Sequence, residues 1–173
     1  MKHKKILGTI GAIVVVCMLS GCAYQFIGVS DAVPEHIRTV YIPSFENLTS
    51  EPNAGFIVGS EVKREFRTTG RLTPANKNEA DGELIGRVIS LTYSNRIYDS
   101  NDHVFLVKVA MTADVKLVDI GGDVIWESEG MTVSEEYTNA LGDEIMDVNR
   151  GPALEAVAKK MAREIQNRML AGF

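Results

Sequence analysis

Cysteine, histidine and the glycine-rich signatures of nucleotide chemistry are all scarce in this 173-residue chain. The two cysteines, Cys17 and Cys22, both fall near the start, so no disulfide can staple the rest of the sequence and stability must come from a packed core. Beyond the first residues the histidines are His36 and His103. They lie far apart and have no thiols near them, so they do not make a typical zinc site. There is no phosphate loop, no paired-glycine dinucleotide fingerprint, no Gly-x-Ser-x-Gly elbow and no His-Glu-x-x-His pair. Asp143, Glu144 and Asp147 lack the spacing of a calcium loop and read as a solvated acidic segment. No catalytic residue, metal site or cofactor is expected. Transmembrane length is missing too: the apolar stretch Ile6 to Leu19 has 14 residues, short of the roughly 20 needed to cross a bilayer core.

That short stretch has a different use. Lys2, Lys4 and Lys5 precede it, and it ends at Leu19-Ser20-Gly21-Cys22, with small residues just before a cysteine. Positive start, apolar middle and small-residue end are the parts of an export signal. Leu19-Ser20-Gly21-Cys22 resembles the bacterial lipobox, which implies removal of residues 1–21 and a diacylglyceryl and acyl (palmitate-type) anchor on Cys22. Two or three chains, at about 0.8 kcal/mol per buried methylene, hold a protein stably on a membrane where one does not. Ala23, rather than Asp, follows the cysteine, which favours sorting to the periplasmic side of the outer membrane. The mature chain has 173 − 21 = 152 residues, the size of one domain. Losing three lysines leaves 18 − 3 = 15 basic against 23 acidic residues, a formal charge of −8 that repels nucleic acid.

Residues 22–35 read as a tether interrupted by Gly28, Ser30, Asp31 and Pro34, although Tyr24, Phe26, Ile27 and Val29 are apolar enough for part of it to dock. Residues 36–173 form a single domain. His36 to Phe45 is β-branched and aromatic, a first strand ended by Pro43. Glu46 to Asn53 reads as a turn-rich loop, whose Asn47-Leu48-Thr49 sequon carries little weight as a modification signal. Phe56, Gly59, Val62 and Phe66, widened by Ile57 and Val58, form the buried stripe of a helix closed by Gly70. Lys63, Arg64, Arg67 and Arg71 complement its dipole. Leu84 to Tyr93 is a strand. From Phe105 to Leu117 odd positions are apolar and even ones polar, the clearest strand in the chain. Asp119-Ile120-Gly121-Gly122-Asp123 is a hairpin turn, and Val124-Ile125-Trp126 opens an antiparallel partner strand running towards Tyr137, with Trp126 a sheet anchor. Pro152 fits the first turn of a last helix whose stripe is Leu154, Val157, Ala158, Met161, Ile165 and Met169. The fold class is α+β: two helices packed on one face of a mainly antiparallel sheet, in the order β-α-β-β-β-α.

One strand breaks the simple pattern. Leu84, Gly86 and Val88 face inward, but Ile85, Arg87 and Ile89 on the opposite face are not all polar. Either a protein partner covers that face, or the strand is slipped or bulged, which exchanges the faces.

The residues in order resemble the LptE family of lipopolysaccharide-assembly lipoproteins. The likeness rests on Gly21-Cys22-Ala23-Tyr24-Gln25-Phe26, Val33-Pro34, Ile37, Val40 and the run Ile42-Pro43-Ser44-Phe45-Glu46-Asn47-Leu48-Thr49 with Glu51-Pro52. It continues through Ala80-Asp81, Leu84, Gly86, the alternating strand, Gly122, Val124-Ile125-Trp126, Glu136-Tyr137 and Ala153-Leu154. The resemblance implies a domain that plugs the LptD outer-membrane β-barrel, helps it fold and takes part in passing lipopolysaccharide outward. Direct lipopolysaccharide contact would need local cations, and Arg87, Arg96, Lys108 and Lys116, on or beside the sheet, are the candidates. The run from Tyr41 to Thr49 also resembles the first strand of TolB-like amino-terminal domains, so a periplasmic adaptor or activator lipoprotein, or a lipoprotein subunit of a lipid transporter, stays open as an alternative.

Overall fold

The computed structural model describes residues 33–98, 104–138 and 146–170; Cys22, the leader, His103, Asp143 and Glu144 lie outside this set. Strands β1 (Thr39–Tyr41) and β2 (Glu46–Asn47) precede helix α1 (Ala54–Thr69). Then come β3 (Thr73–Pro74), β4 (Gly82–Tyr98), β5 (Val104–Asp119), β6 (Val124–Thr138) and helix α2 (Met146–Leu170). The α+β arrangement expected from the sequence is present, two helices against a mixed six-stranded sheet ordered β3-β1-β4-β5-β6, with β2 beside β4. The long β4-β5-β6 meander is antiparallel, whereas β1 and β2 join β4 in parallel. The first strand is shorter than the expected His36 to Phe45. Pro43 has no N–H for a ladder, so the chain breaks between β1 and β2 and resumes pairing further along β4.

Alternation along β5 is as the sequence implies: Val107, Val109, Met111, Ala113, Val115 and Leu117 are buried against the helices. Trp126, opposite Leu117, is buried on the same side. Of the two alternatives for β4, the structure shows the bulge. Leu84, Gly86 and Val88 face the core in the expected register, and a bulge follows at Ile89, where the pairing jumps from Val88↔Ala113 to Ser90↔Thr112. The extra residue returns Leu91 and Tyr93 to the helix side.

Helix α1 ends as expected, with Gly70 in the left-handed region (φ 71°) and its N–H donating to the Phe66 carbonyl at 3.3 Å. Phe56 does not belong to its stripe. The buried residues Ala54, Val58, Val62 and Phe66 repeat at four-residue steps, and at 100° per residue Phe56 points away from them, 64% exposed. Gly59 is needed for closeness: a Cβ there would lie 2.8 Å from the Pro43 carbonyl oxygen. The stripe on α2 is as read, from Leu154 to Met169. That helix, however, starts at Met146, so Pro152 sits inside it, one turn later than a first-turn position.

Candidate functional site

The helices cover one face of the sheet; among the described residues no element covers the other. On that outer face the cross-strand register sets Ile85 beside Lys116 and Arg87 beside Asp114, while Lys116 is opposite Glu127. Arg87 Nη2 donates to Asp114 Oδ2 at 2.9 Å, and Asp114 Oδ1 accepts the Gly130 N–H at 2.8 Å, so one carboxylate links all three long strands. Thr112 and Thr132 join β5 to β6 through their hydroxyls at 2.9 Å. Between β2 and these strands lies a groove of about 420 Å³ lined by Glu46, Ile85, Arg87, Asp114, Lys116, Glu127 and Glu129 among others.

Of the four cations singled out from sequence, the fold brings Arg87 and Lys116 together in this groove. Lys108 is on the same face but eight residues from Lys116, roughly 27 Å along the strand. Arg96 belongs to the far part of β4, and its side chain lies outside the described residues. The groove's two cations face four carboxylates, Glu46, Asp114, Glu127 and Glu129. This balance does not attract a phosphorylated head group. It does suit a partner that offers its own hydrogen-bonding groups. Ile85, Ile89 and Leu48, all exposed, supply apolar contact beside those charges.

The structure also shows features that the sequence hid. Asp81 Oδ2 accepts the N–H groups of Arg38 and Thr39 and the Thr39 hydroxyl, at 2.9, 2.8 and 2.8 Å, clamping β1 to the start of β4. These donors, with the backbone of Arg38 first, hold the carboxyl below its ordinary value of 3.8. With partners 42 and 43 residues away, no local motif announces this clamp. The Asn47-Leu48-Thr49 segment, by contrast, has a local explanation. Asn47 Oδ1 accepts the Thr49 N–H and hydroxyl, and Thr49 Oγ1 accepts the Glu51 N–H. It is a self-bonded turn that holds Leu48 outward. On the helix side, burial pushes the Tyr93 phenol up to about 12, reinforced by Glu51 and opposed by Arg150, whose guanidinium sits 5.4 Å over the ring.

Among the described residues no group of three or more His, Cys, Asp or Glu could hold a metal ion, and no helix is long and apolar enough to cross a membrane. His36 is exposed in a loop.

A family model, LptE: Lipopolysaccharide-assembly, matches residues 37–169. No curated protein matches the sequence. Among solved structures, a variant PelC dodecamer from Paraburkholderia phytofirmans is similar at 18% identity with TM-score 0.52, covering 80% of this chain and 91% of that one. A minor lipoprotein from Acinetobacter baumannii is similar at 16% identity with TM-score 0.52, covering 80% and 94%. An uncharacterised lipoprotein B from Nitrosomonas europaea is similar at 15% identity with TM-score 0.51, covering 83% and 88%. At these identities the likeness concerns the fold.

Proposed function

This chain belongs to the LptE lipopolysaccharide-assembly family, and from that premise we propose that it is an outer-membrane lipoprotein, anchored through Cys22, that seats in an LptD-type β-barrel and assists lipopolysaccharide assembly there. Its work on this reading is structural: it occupies and supports the barrel and makes no bond. The observation that carries the reading is the uncovered face of β4, β5 and β6. A barrel lumen is lined by polar side chains, and this face meets that requirement with matched charges, Arg87 with Asp114 and Lys116 opposite Glu127, set among Ile85, Ile89 and Leu48. An antiparallel sheet commonly leaves one face to water; what favours a partner here is the exposed apolar set Ile85, Ile89 and Leu48 among those charges.

The charge count in the groove favours contact with protein over direct capture of the anionic lipid. Arg87 and Lys116 are therefore assigned to the barrel contact, and Lys108, isolated further along the face, and Arg96 stay as candidate cations for lipopolysaccharide. Photocrosslinking from Ile85 in living cells tests the assignment. A barrel adduct supports it, and adducts only to soluble periplasmic proteins would favour an adaptor role in its place.

A further inference from the structure

Among the described residues the sheet order ends in β3 and β6, and β4 has a further stretch with no neighbour on one side; β6 and this stretch are built differently. Along β6 the helix side chains lean over the border. Lys160 Nζ donates to the Ser134 carbonyl at 2.8 Å and pairs with Glu135 at 3.1 Å, and Arg168 reaches the Ser128 hydroxyl at 3.3 Å. A residue in the left-handed region, Gly130 (φ 62°), breaks the register with β5 near Asp114. Charges and a bulge are how proteins keep foreign strands off an edge.

The other stretch is guarded less directly, by Arg150 and Glu51 reaching Tyr93 from the helix side. On the side of β4 occupied by β1 and β2, pairing stops at Val88, where the Leu48 N–H donates to the Val88 carbonyl at 2.9 Å. Past that point nothing among the described residues pairs with β4 on this side. Between irregularities at Ile89 and Arg96, Ser90 to Asn95 keeps an unbroken register with Thr112 to Val107 on its paired side. Ser90-Leu91-Thr92-Tyr93-Ser94-Asn95 holds no charge, proline or glycine. Leu91 and Tyr93 are only half-buried on the helix side.

We infer that this edge receives an extended, uncharged segment of the barrel partner, about six residues long, which pairs with Ser90–Asn95 by main-chain hydrogen bonds. Only an extended backbone offers donors and acceptors at the spacing of a strand edge. Two other occupants fit less well. With the lipid on Cys22, the chain from Ala23 to Val33 spans at most about 40 Å. Val33 lies beside Gly70 to Thr73, ahead of β1, whose Val40 is the residue level with Gly82, and the eight residues from Gly82 to Ser90 alone take about 26 Å of that reach. Too little remains to line the edge. A second copy pairing six residues with six covers far less than the roughly 1,200 Å² of a stable complex. A barrel already held on the outer face needs no such area from the edge alone, and Ile89 and Leu48 make the two surfaces continuous. The barrel wall is closed and has no free edge of its own, so the segment must be a loop or a terminus. This inference rests on the barrel reading above.

Amide hydrogen exchange tests it, on full-length lipidated protein in detergent, alone and in the complex purified from the envelope. Peptides covering Ser90–Asn95 should slow at least tenfold in the complex. The same peptides unprotected in a complex that does contain the barrel would overturn this inference and leave the functional reading standing; failure to recover any barrel would remove that reading itself. Protection that grows with concentration in the protein alone would assign the edge to a second copy and also overturn the inference. As an independent check, Thr92→Lys, at an exposed position where folding tolerates it, should lower barrel recovery about tenfold. Unchanged recovery would contradict strand pairing.

Discussion

Replacing Gly86 by alanine is expected to destabilise the protein through one buried contact. A Cβ at Gly86 would stand 2.2, 2.3 and 2.5 Å from Phe45 Cε2, Cδ2 and Cζ, well inside van der Waals contact. The ring cannot step aside by moving its backbone. The Phe45 N–H donates to the Gly55 carbonyl at 3.0 Å, and the first turn of α1 lies so close that a Cβ on Gly55 would meet the Phe45 carbonyl oxygen at 2.0 Å. Phe45 is also only 4% exposed, so rotating the ring pushes it into filled space. Overpacking of this kind costs about 1–3 kcal/mol. Loss of glycine freedom in the unfolded chain offsets about 0.4–1 kcal/mol of that. The net is a destabilisation of about 1–2 kcal/mol in urea unfolding with an unchanged slope. Phe45→Leu should relieve the clash, making the double variant more stable than the sum of the single ones predicts by about 1 kcal/mol. An alanine variant as stable as the parent, or strict additivity with Phe45→Leu, would refute the claim that this contact fixes β4 against the β1–β2 break.

Other expectations follow from the same geometry. Arg87→Ala should leave stability within about 0.5 kcal/mol, since the pair is exposed and Asp114 keeps its bond to Gly130, yet lower barrel recovery roughly tenfold; equal recovery would remove Arg87 from the contact. Because the Asp81 carboxyl is held below 3.8 when folded, the unfolded chain binds the proton first. The clamp's contribution is thus complete above the ordinary carboxylate range and is lost as pH falls through the lowered value, and urea midpoints should drop on acidification more steeply in the parent than in Asp81→Asn. Met161→Ala, at a fully buried position, should cost about 2–5 kcal/mol by thermal or urea unfolding. Cys22→Ala should abolish acyl labelling in cells while circular dichroism of the domain stays unchanged.

The long elements were legible because their periods are local. Phe105 to Leu117 alternates strictly, the stripe from Leu154 to Met169 repeats at helical spacing, and Gly70 marks the end of α1. What escaped depends on distant partners. The two-residue strands β2 and β3 exist because β4 and β1 offer them an edge, and two residues carry no period of their own. Hydrophobicity alone does not distinguish neighbouring helix faces over a few residues and puts Phe56 in the core; the four-residue repeat of Ala54, Val58, Val62 and Phe66 is the better guide. Proline at N1 is favoured but not required, which is how α2 could begin before Pro152. For the site, Ile85, Arg87 and Ile89 were visible as an anomalous face, whereas the acidic balance of the groove was not. Glu46, Glu127 and Glu129 come to Arg87 from other strands.

The most direct test of the central claim is a detergent pull-down of the tagged, full-length protein from its native envelope, with quantitative mass spectrometry of what comes with it. An outer-membrane β-barrel at close to one copy per lipoprotein is the predicted result. Its reproducible absence, with a cell-wall synthase or an inner-membrane transporter recovered in its place, would contradict the account.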